Sequence, residues 1–209
     1  MKIVQTEAAE FPLTLRNTPV TSGDAWVVIN VDSEGRLVEV LVTGYSRKDF
    51  ADAAVAALHR WRFEPAELNG ETWPSVQEVH FDFSRSGVVI EVTAGDMFQI
   101  RNEELTQGRY LYRSYALREL DRIPTPIEVV SPTPPPLDPK EGKRTVLVDF
   151  YIDEEGRVRM PSVAREEAND ACAGSAMAAV KQWRFEPPLC HGKPVLVHAQ
   201  QPFNFVPKG

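Results

Sequence analysis

The residues of this chain that could do chemistry are two acidic turns, four histidines and two cysteines. The strings Asp32-Ser33-Glu34-Gly35-Arg36 and Asp153-Glu154-Glu155-Gly156-Arg157 carry carboxylates at a spacing that could hold calcium or form an acid–base pair. The twelve-residue EF-hand pattern is absent, however, and acidic residues before a glycine are typical of a tight turn. The histidines show no metal-ligand spacing, and the chain has neither a Gly-x-Ser-x-Gly elbow nor a Walker loop. We therefore predict no catalytic residue, no metal site and no cofactor, and a protein that is not an enzyme. An enzyme remains an alternative only through a site that is assembled in the folded chain.

Charge and hydropathy exclude two classes of partner. The chain has 209 residues, with 23 Lys and Arg against 30 Asp and Glu, and a net charge of −7. This balance argues against a nucleic-acid binder, which normally presents a basic face. No apolar run approaches the ~20 residues that span a bilayer. The first residues show no signal-peptide h-region, which leaves open a cytosolic protein or one whose leader has been removed.

These candidate residues lie in a pattern that occurs twice. The acidic turn, Trp61-Arg62-Phe63-Glu64-Pro65 and Phe81-Asp82-Phe83 return as the second acidic turn, Trp183-Arg184-Phe185-Glu186-Pro187 and Phe203-Asn204-Phe205. The offset is 121 residues at the turn and 122 at the later motifs. A nearly constant offset across separated motifs indicates a tandem duplication of one folding unit.

Each copy reads as two strands, a helix and a last strand. Alternating apolar residues predict a strand before each acidic turn and a second strand after it, which together form a hairpin. Alanine-rich helical periodicity follows, over about Lys48–Arg62 and Asn169–Arg184, and we expect Pro65 and Pro187 to end the helices. The last strands are Val76–Phe83 and Val195–Phe205. The fold class is therefore α+β: two tandem β-β-α-β domains, each a three-stranded antiparallel sheet with one helix packed on a face. The strand order is second–first–last, which places the last strand at an edge.

The domain boundaries follow from the repeat. Residues 1–86 form the first domain, 87–123 a connector, and 124–209 a proline-rich lead-in with the second domain. In the connector, Val88–Val92 predicts one more strand, paired with the edge of the first domain, and Glu103–Leu120 a helical stretch. The prolines from Pro124 onward predict a semi-rigid spacer of polyproline II.

Cys172 and Cys190 align with two apolar residues of the first copy, Phe50 and Leu68. Two interpretations stay open: buried thiols that act as small apolar side chains, or a disulfide formed in an oxidising compartment. We expect the two cysteines to lie near each other, since the aligned pair suggests one contact shared by both copies.

The second copy resembles the C-terminal domain of the TonB energy-transducer family most closely. The resemblance rests on Ile152-Asp153-Glu154-Glu155-Gly156, the Trp183 motif, Gly192-Lys193-Pro194-Val195 and Gln201-Pro202-Phe203-Asn204-Phe205. The first copy keeps the turn, the Trp61 motif and the closing strand, but has Gly70-Glu71-Thr72-Trp73 in place of the Gly-Lys-Pro-Val turn. The chain departs from the family in its two domains, its missing transmembrane helix and its short proline-rich stretch.

The resemblance implies a non-enzymatic periplasmic protein that binds an extended peptide of an outer-membrane transporter, or a partner protein, by strand addition in TonB-dependent transport. The alternative is a structural or assembly module whose sheet edges pair with each other or across a homodimer, with no peptide ligand. Because exposed edges recruit strands, we expect the partner at the last strand of the second domain, at Val195, Val197, His198, Ala199, Gln200 and Gln201. The expected structural anchors are Trp61, Phe63, Trp183 and Phe185.

Overall fold

The computed structural model describes residues 1–68, 70–93, 110–137, 142–164, 167 and 170–207. The chain divides into two compact units, Met1–Arg113 and Ser114–Gly209. The boundary falls inside the predicted connector 87–123, so the residues of that connector are shared between the two units. No helix among the described residues is long and apolar enough to cross a membrane.

The first unit is a five-stranded antiparallel sheet with one helix on a face. Its elements are β1 (Lys2–Gln5), β2 (Ser22–Val31), β3 (Leu37–Tyr45), α1 (Lys48–Leu58), β4 (Arg62–Glu64), β5 (Ala66–Leu68), β6 (Glu71–Trp73), β7 (Ser75–Ser84), β8 (Gly87–Thr93) and β9 (Tyr112–Arg113). The sheet order is β8-β7-β2-β3-β9. The predicted order second–first–last lies at its centre. Alternate residues of β2, such as Val27 and Ile29, are fully buried in the same core cluster as the helix residues Ala54 and Leu58. Alanine on the inner helix face lets the helix lie close to the sheet.

The second unit repeats this core with a four-stranded sheet. Its elements are β10 (Tyr115–Ala116), β11 (Pro126–Glu128), β12 (Arg144–Ile152), β13 (Val158–Ser162), α2 (Ala171–Val180), β14 (Arg184–Phe185), β15 (Leu189–Cys190), β16 (Lys193–Pro194) and β17 (Val197–Phe205). The sheet order is β10-β17-β12-β13, in which β10 runs parallel to β17 and the other pairs are antiparallel. Val146 and Val148 of β12 share a buried core with Ala173 and Ala176 of α2.

Both helices end earlier than the sequence predicts. α1 stops at Leu58 and α2 at Val180, well before the prolines that were expected to end them. The chain leaves each helix through a tight turn, in which the backbone N–H of Trp61 donates to the Leu58 carbonyl at 3.1 Å and the N–H of Trp183 to the Val180 carbonyl at 3.0 Å. The following residues form β4 and β14. The prediction that the helices continue to Arg62 and Arg184 was therefore wrong. A proline limits how far a helix can continue, but a strand partner from another segment can end it sooner.

That strand partner is a segment that precedes the first strand of each sheet–helix core. We call it the strap: Lys2–Leu15 in the first unit and Pro126–Leu137 in the second. β1 pairs with β4, and β11 pairs with β14, both antiparallel. The second strap contains most of the proline-rich stretch that was predicted to be a spacer. It is instead attached to its own unit, because β11 pairs there and Val130 and Leu137 pack against the core.

Additional strands widen the two predicted three-stranded sheets. In the first unit, β8 contains Val88–Val92 and pairs with β7 from Ser84↔Gly87 to Glu78↔Thr93. In the second unit, β10 pairs with Val197 and His198 of β17. The last strand is therefore not a free edge. In the first unit β8 pairs with seven residues of β7, and in the second β10 pairs with two residues of β17. Residues 103–109 of the predicted helical stretch Glu103–Leu120 lie outside the described residues. Its remainder holds β9, β10 and a 3-10 turn at Leu117–Glu119.

Candidate functional site

The outer side of β17 beyond β10 is the exposed strand edge nearest to the predicted site. We call the stretch Ala199–Phe205 on this side the open flank, because no described strand pairs with it. The backbone N–H of Tyr115 donates to the Leu196 carbonyl at 2.9 Å. The backbone groups of successive strand residues point to opposite sides. Because the Leu196 carbonyl points toward β10, the backbone N–H and C=O groups of the even-numbered residues of β17 also point away from β12. Gln200 and Asn204 thus present N–H donors on the open flank, whereas Pro202 has none to present.

The six residues that the sequence predicted as a partner-binding edge have three different environments in the structure. Val195 precedes β17, and its N–H donates to the Pro188 carbonyl at 3.0 Å. Val197 and His198 already pair with β10. Ala199, Gln200 and Gln201 lie on the stretch that β10 leaves open.

The side chains of these residues are also less available than expected. Val197 is fully buried and Ala199 is 6% exposed, both in the core that faces α2. The side chains of His198 and Gln200 lie against one carboxylate: His198 Nε2 is 3.1 Å from Asp149 Oδ1, and Gln200 Nε2 donates to the same oxygen at 2.7 Å. Gln201 Nε2 donates to the Pro202 carbonyl at 3.0 Å. The chemistry that the open flank offers is therefore mainly that of the backbone.

The sequence missed the residues at the start of this site, whereas those at its end lie within the predicted last strand Val195–Phe205. Tyr115 and Ala116 cover the start of β17, and Pro202 and Asn204 extend the open flank to the end of the strand. Asn204 is held across the sheet by a hydrogen bond from Thr145 Oγ1 to its Oδ1 at 2.9 Å. A two-residue strand such as β10 is too short to show a periodic pattern, so no signal in the sequence could have found it.

The predicted anchors lie at equivalent places in the two cores. Trp61 is 6% exposed, Trp183 is 8% exposed and Phe63 is buried, whereas Phe185 is only partly buried. Each indole also holds its strap: Trp61 Nε1 donates to the Glu7 carbonyl at 2.9 Å, and Trp183 Nε1 to the Val130 carbonyl at 2.8 Å. A buried indole N–H needs an acceptor, and the straps supply it.

The acidic residues that could have bound calcium are used within their turns. Asp32 Oδ1 accepts from the backbone N–H groups of Glu34 and Arg36, both at 2.9 Å. Asp153 Oδ1 accepts from those of Glu155 at 3.1 Å and Arg157 at 2.9 Å. The N–H of Arg36 is the main reason why the pKa of the Asp32 carboxyl lies below its ordinary value. The described residues contain no group of three His, Cys, Asp or Glu side chains arranged to hold a metal ion.

The remaining reactive side chains have structural neighbours. His80 stacks on Trp26, with ring centroids 3.8 Å apart, and its Nε2 lies 3.2 Å from Asp24 Oδ1. Both cysteines are buried free thiols, so they form no disulfide. Cys172 packs in the sheet–helix core, whereas Cys190 Sγ lies 3.3 Å from the carbonyl oxygen of Glu119.

Comparison with known proteins identifies the repeated unit. A model of the family described as Gram-negative bacterial TonB protein C-terminal matches residues 20–84 and again 140–207. A search of curated proteins found no match. Domains of this family are non-enzymatic, are periplasmic in Gram-negative bacteria and interact with outer-membrane transporters. The two matches coincide with the two sheet–helix cores and together cover more than half of the chain. The chain therefore belongs to the family of Gram-negative bacterial TonB protein C-terminal domains, of which it carries two tandem copies.

Proposed function

We propose that this protein binds an extended peptide of an outer-membrane transporter in the periplasm, by strand addition to the open flank of the second unit. The observation that carries the proposal is that β17 already accepts one parallel strand, β10, on the same side. Beyond β10 the strand continues for seven residues without a described neighbour on that side. An unpaired row of backbone groups is a template for another strand.

The first unit supports the proposal by contrast. Its last strand, β7, has the same place in the repeat, but β8 covers it over seven residue pairs. The edge that is open in the second unit is thus occupied in the first. We assign peptide binding to the second unit and a structural role to the first.

Backbone pairing sets what kind of peptide this edge would accept. The open flank presents the N–H groups of Gln200 and Asn204, while the side chain of Gln200 is engaged by Asp149. Each added backbone hydrogen bond contributes about 0.5–1.5 kcal/mol net. Recognition through a few such bonds is weak and tolerant of peptide sequence, which suits a transient contact with several transporters.

A second candidate function is an assembly module, favoured by the way the chain covers its own edges. β8 closes β7, and β10 begins to close β17, so the chain pairs both of its last strands with its own segments. In this case the open flank would pair with a second copy of the chain rather than with a transporter.

Photo-crosslinking separates these functions. A photoreactive amino acid at Asn204 is irradiated in the presence of outer membranes from a Gram-negative bacterium, and the products are identified by mass spectrometry. We expect crosslinks to transporters through their periplasm-facing segments, whereas crosslinks only to a second copy would support the assembly module. Absence of both products would refute strand addition at this flank.

The control variants distinguish backbone from side chain. In a background with the photoreactive residue, Gln200→Pro removes an outward N–H without touching the pairing with β12, as Pro202 already does two residues later. Gln200→Ala removes the side chain and keeps the N–H. We expect the first variant to lose the crosslink and the second to retain it.

A further inference from the structure

The second unit contains a strongly basic pocket near β13, at the edge of the sheet opposite to the open flank. The pocket is an open cavity of about 250 Å³ between the end of α2, the acidic turn and the start of β13. The residues that line it are Arg157, Val158, Arg159, Lys181, Trp183 and Arg184. Four of the six carry a positive charge, in a chain whose net charge is −7.

Two of the four cations of this pocket pair with carboxylates of the acidic turn. Arg157 Nε lies 2.8 Å from Asp153 Oδ2 and its Nη2 also contacts Glu155. The buried Asp153 also pairs with Arg159, whose Nη1 lies 3.6 Å from the same oxygen. Within the described part of the chain, Lys181 and Arg184 form no ion pair.

The backbone brings two of these charges face to face. Arg157 and Arg184 are directly opposite each other in an antiparallel bridge, and the Phe185 N–H donates to the Gly156 carbonyl at 2.9 Å beside them. Like charges at opposed positions destabilise a sheet. Because Arg157 is already paired with Asp153 and Glu155, the charge that remains for an anion at this bridge is mainly that of Arg184.

Comparison of the two copies shows that the fold does not require this charge. At the offsets of the repeat, Arg159 corresponds to Val38 and Lys181 to His59. Both copies form the same hairpin and helix, so this fold forms without a cation at either of the two positions. Val38 is 55% exposed on β3, which shows that an uncharged side chain is accommodated at this place.

We propose that the basic pocket binds the carboxylate side chain of an acidic peptide segment in a protein partner. Arginine forks match the planar geometry of a carboxylate, and the cavity of about 250 Å³ has room for a carboxylate side chain. β13 lies at the edge of the sheet, with β12 as its paired strand, so the backbone of the same segment can pair beside the pocket. This site is separate from the open flank and does not depend on the function proposed for it.

The test uses two synthetic pentapeptides, acetyl-Thr-Glu-Thr-Glu-Thr-amide and the same peptide with glutamine in place of glutamate. Each is titrated into the ¹⁵N-labelled full chain, and the shifts of the Gly156 amide and the Trp183 indole are followed by NMR. We expect the glutamate peptide to shift both signals and its binding to weaken as salt is added. The glutamine peptide should bind at least about tenfold more weakly, a factor that corresponds to ~1.4 kcal/mol.

The matched variant replaces two cations of the pocket with the residues that the first copy has at the corresponding positions. The double substitution Arg159→Val with Lys181→His should keep the fold, because the first unit folds with those residues, and should weaken the glutamate peptide at least about tenfold. Gln200→Pro on the open flank should leave this binding unchanged, which separates the pocket from the proposed transporter site. Equal binding of both peptides, or full binding by the double variant, would overturn the proposal. Inorganic phosphate that shifts the same signals at lower concentration than the peptide would also overturn it in favour of a free oxyanion site.

Discussion

Replacing Gly156 with alanine tests how closely the acidic turn packs against β14. Gly156 has φ of +78°, and a Cβ atom built on it would lie 1.9 Å from the Phe185 carbonyl oxygen. The same turn is held by the N–H of Gly156, which donates to the Asp153 carbonyl at 2.9 Å, and by the Phe185 N–H, which donates to the Gly156 carbonyl at 2.9 Å. Alanine must therefore adopt a left-handed conformation and push β14 away from the turn.

The expected loss follows from these two effects. A left-handed conformation costs an L-residue about 1–2 kcal/mol. Displacement of β14 breaks the hydrogen bond from Phe185, which contributes about 1 kcal/mol net. We expect Gly156→Ala to lower the free energy of unfolding of the second unit by about 2–3 kcal/mol. The measurement is native-state hydrogen exchange of the β12 amides, which reports on that unit.

Two other glycines provide matched comparisons. At Gly35, with φ of +81°, a Cβ atom would lie 2.5 Å from the Phe63 carbonyl oxygen, so Gly35→Ala should destabilise the first unit in the same way. Gly174 lies in α2, and a Cβ atom there meets nothing within 4 Å. Gly174→Ala should stabilise the helix by about 0.5–1 kcal/mol. A loss below about 0.5 kcal/mol for Gly156→Ala, the range of ordinary surface substitutions, would refute the close approach of the turn to β14.

Three further outcomes are expected. Trp183→Phe removes the indole donor to the Val130 carbonyl and should cost about 1–3 kcal/mol, with faster amide exchange in the second strap; unchanged exchange there would contradict the contact. The backbone N–H groups of Gly192 and His191 lower the pKa of Asp121, so its ionised form stabilises the fold above pH ~4 and this contribution is lost as the pH falls through the lower folded pKa. NMR titration should give Asp121 a pKa below the ordinary one, and an ordinary value would show that these hydrogen bonds are absent. Mass spectrometry of the unreduced protein, alkylated after unfolding, should show Cys172 and Cys190 both modified, whereas protection of both would indicate a disulfide.

The sequence by itself determined the repeated core. Alternating apolar residues around Val27 and Val148, the glycine of each acidic turn and the alanine-rich helices are local signals, because each depends on neighbours a few residues apart. They were sufficient to predict two α+β units, the order of the three central strands and the strand at Val88–Val92. The burial of Trp61 and Trp183 follows from the same local pattern.

Tertiary structure decided where the helices end, what the straps do and which edges stay open. The ends of α1 and α2 depend on β1 and β11, segments more than 50 residues away from the strands they pair with. Whether the indole of Trp183 meets the Val130 carbonyl, or whether Tyr115 lies beside Leu196, depends on how distant backbone groups meet in space. Backbone donors and acceptors are the same in every residue, so no residue type marks such a contact in advance. The same reason explains why the predicted edge of β17 was partly covered, and why the basic pocket became visible only when its four cations were brought together.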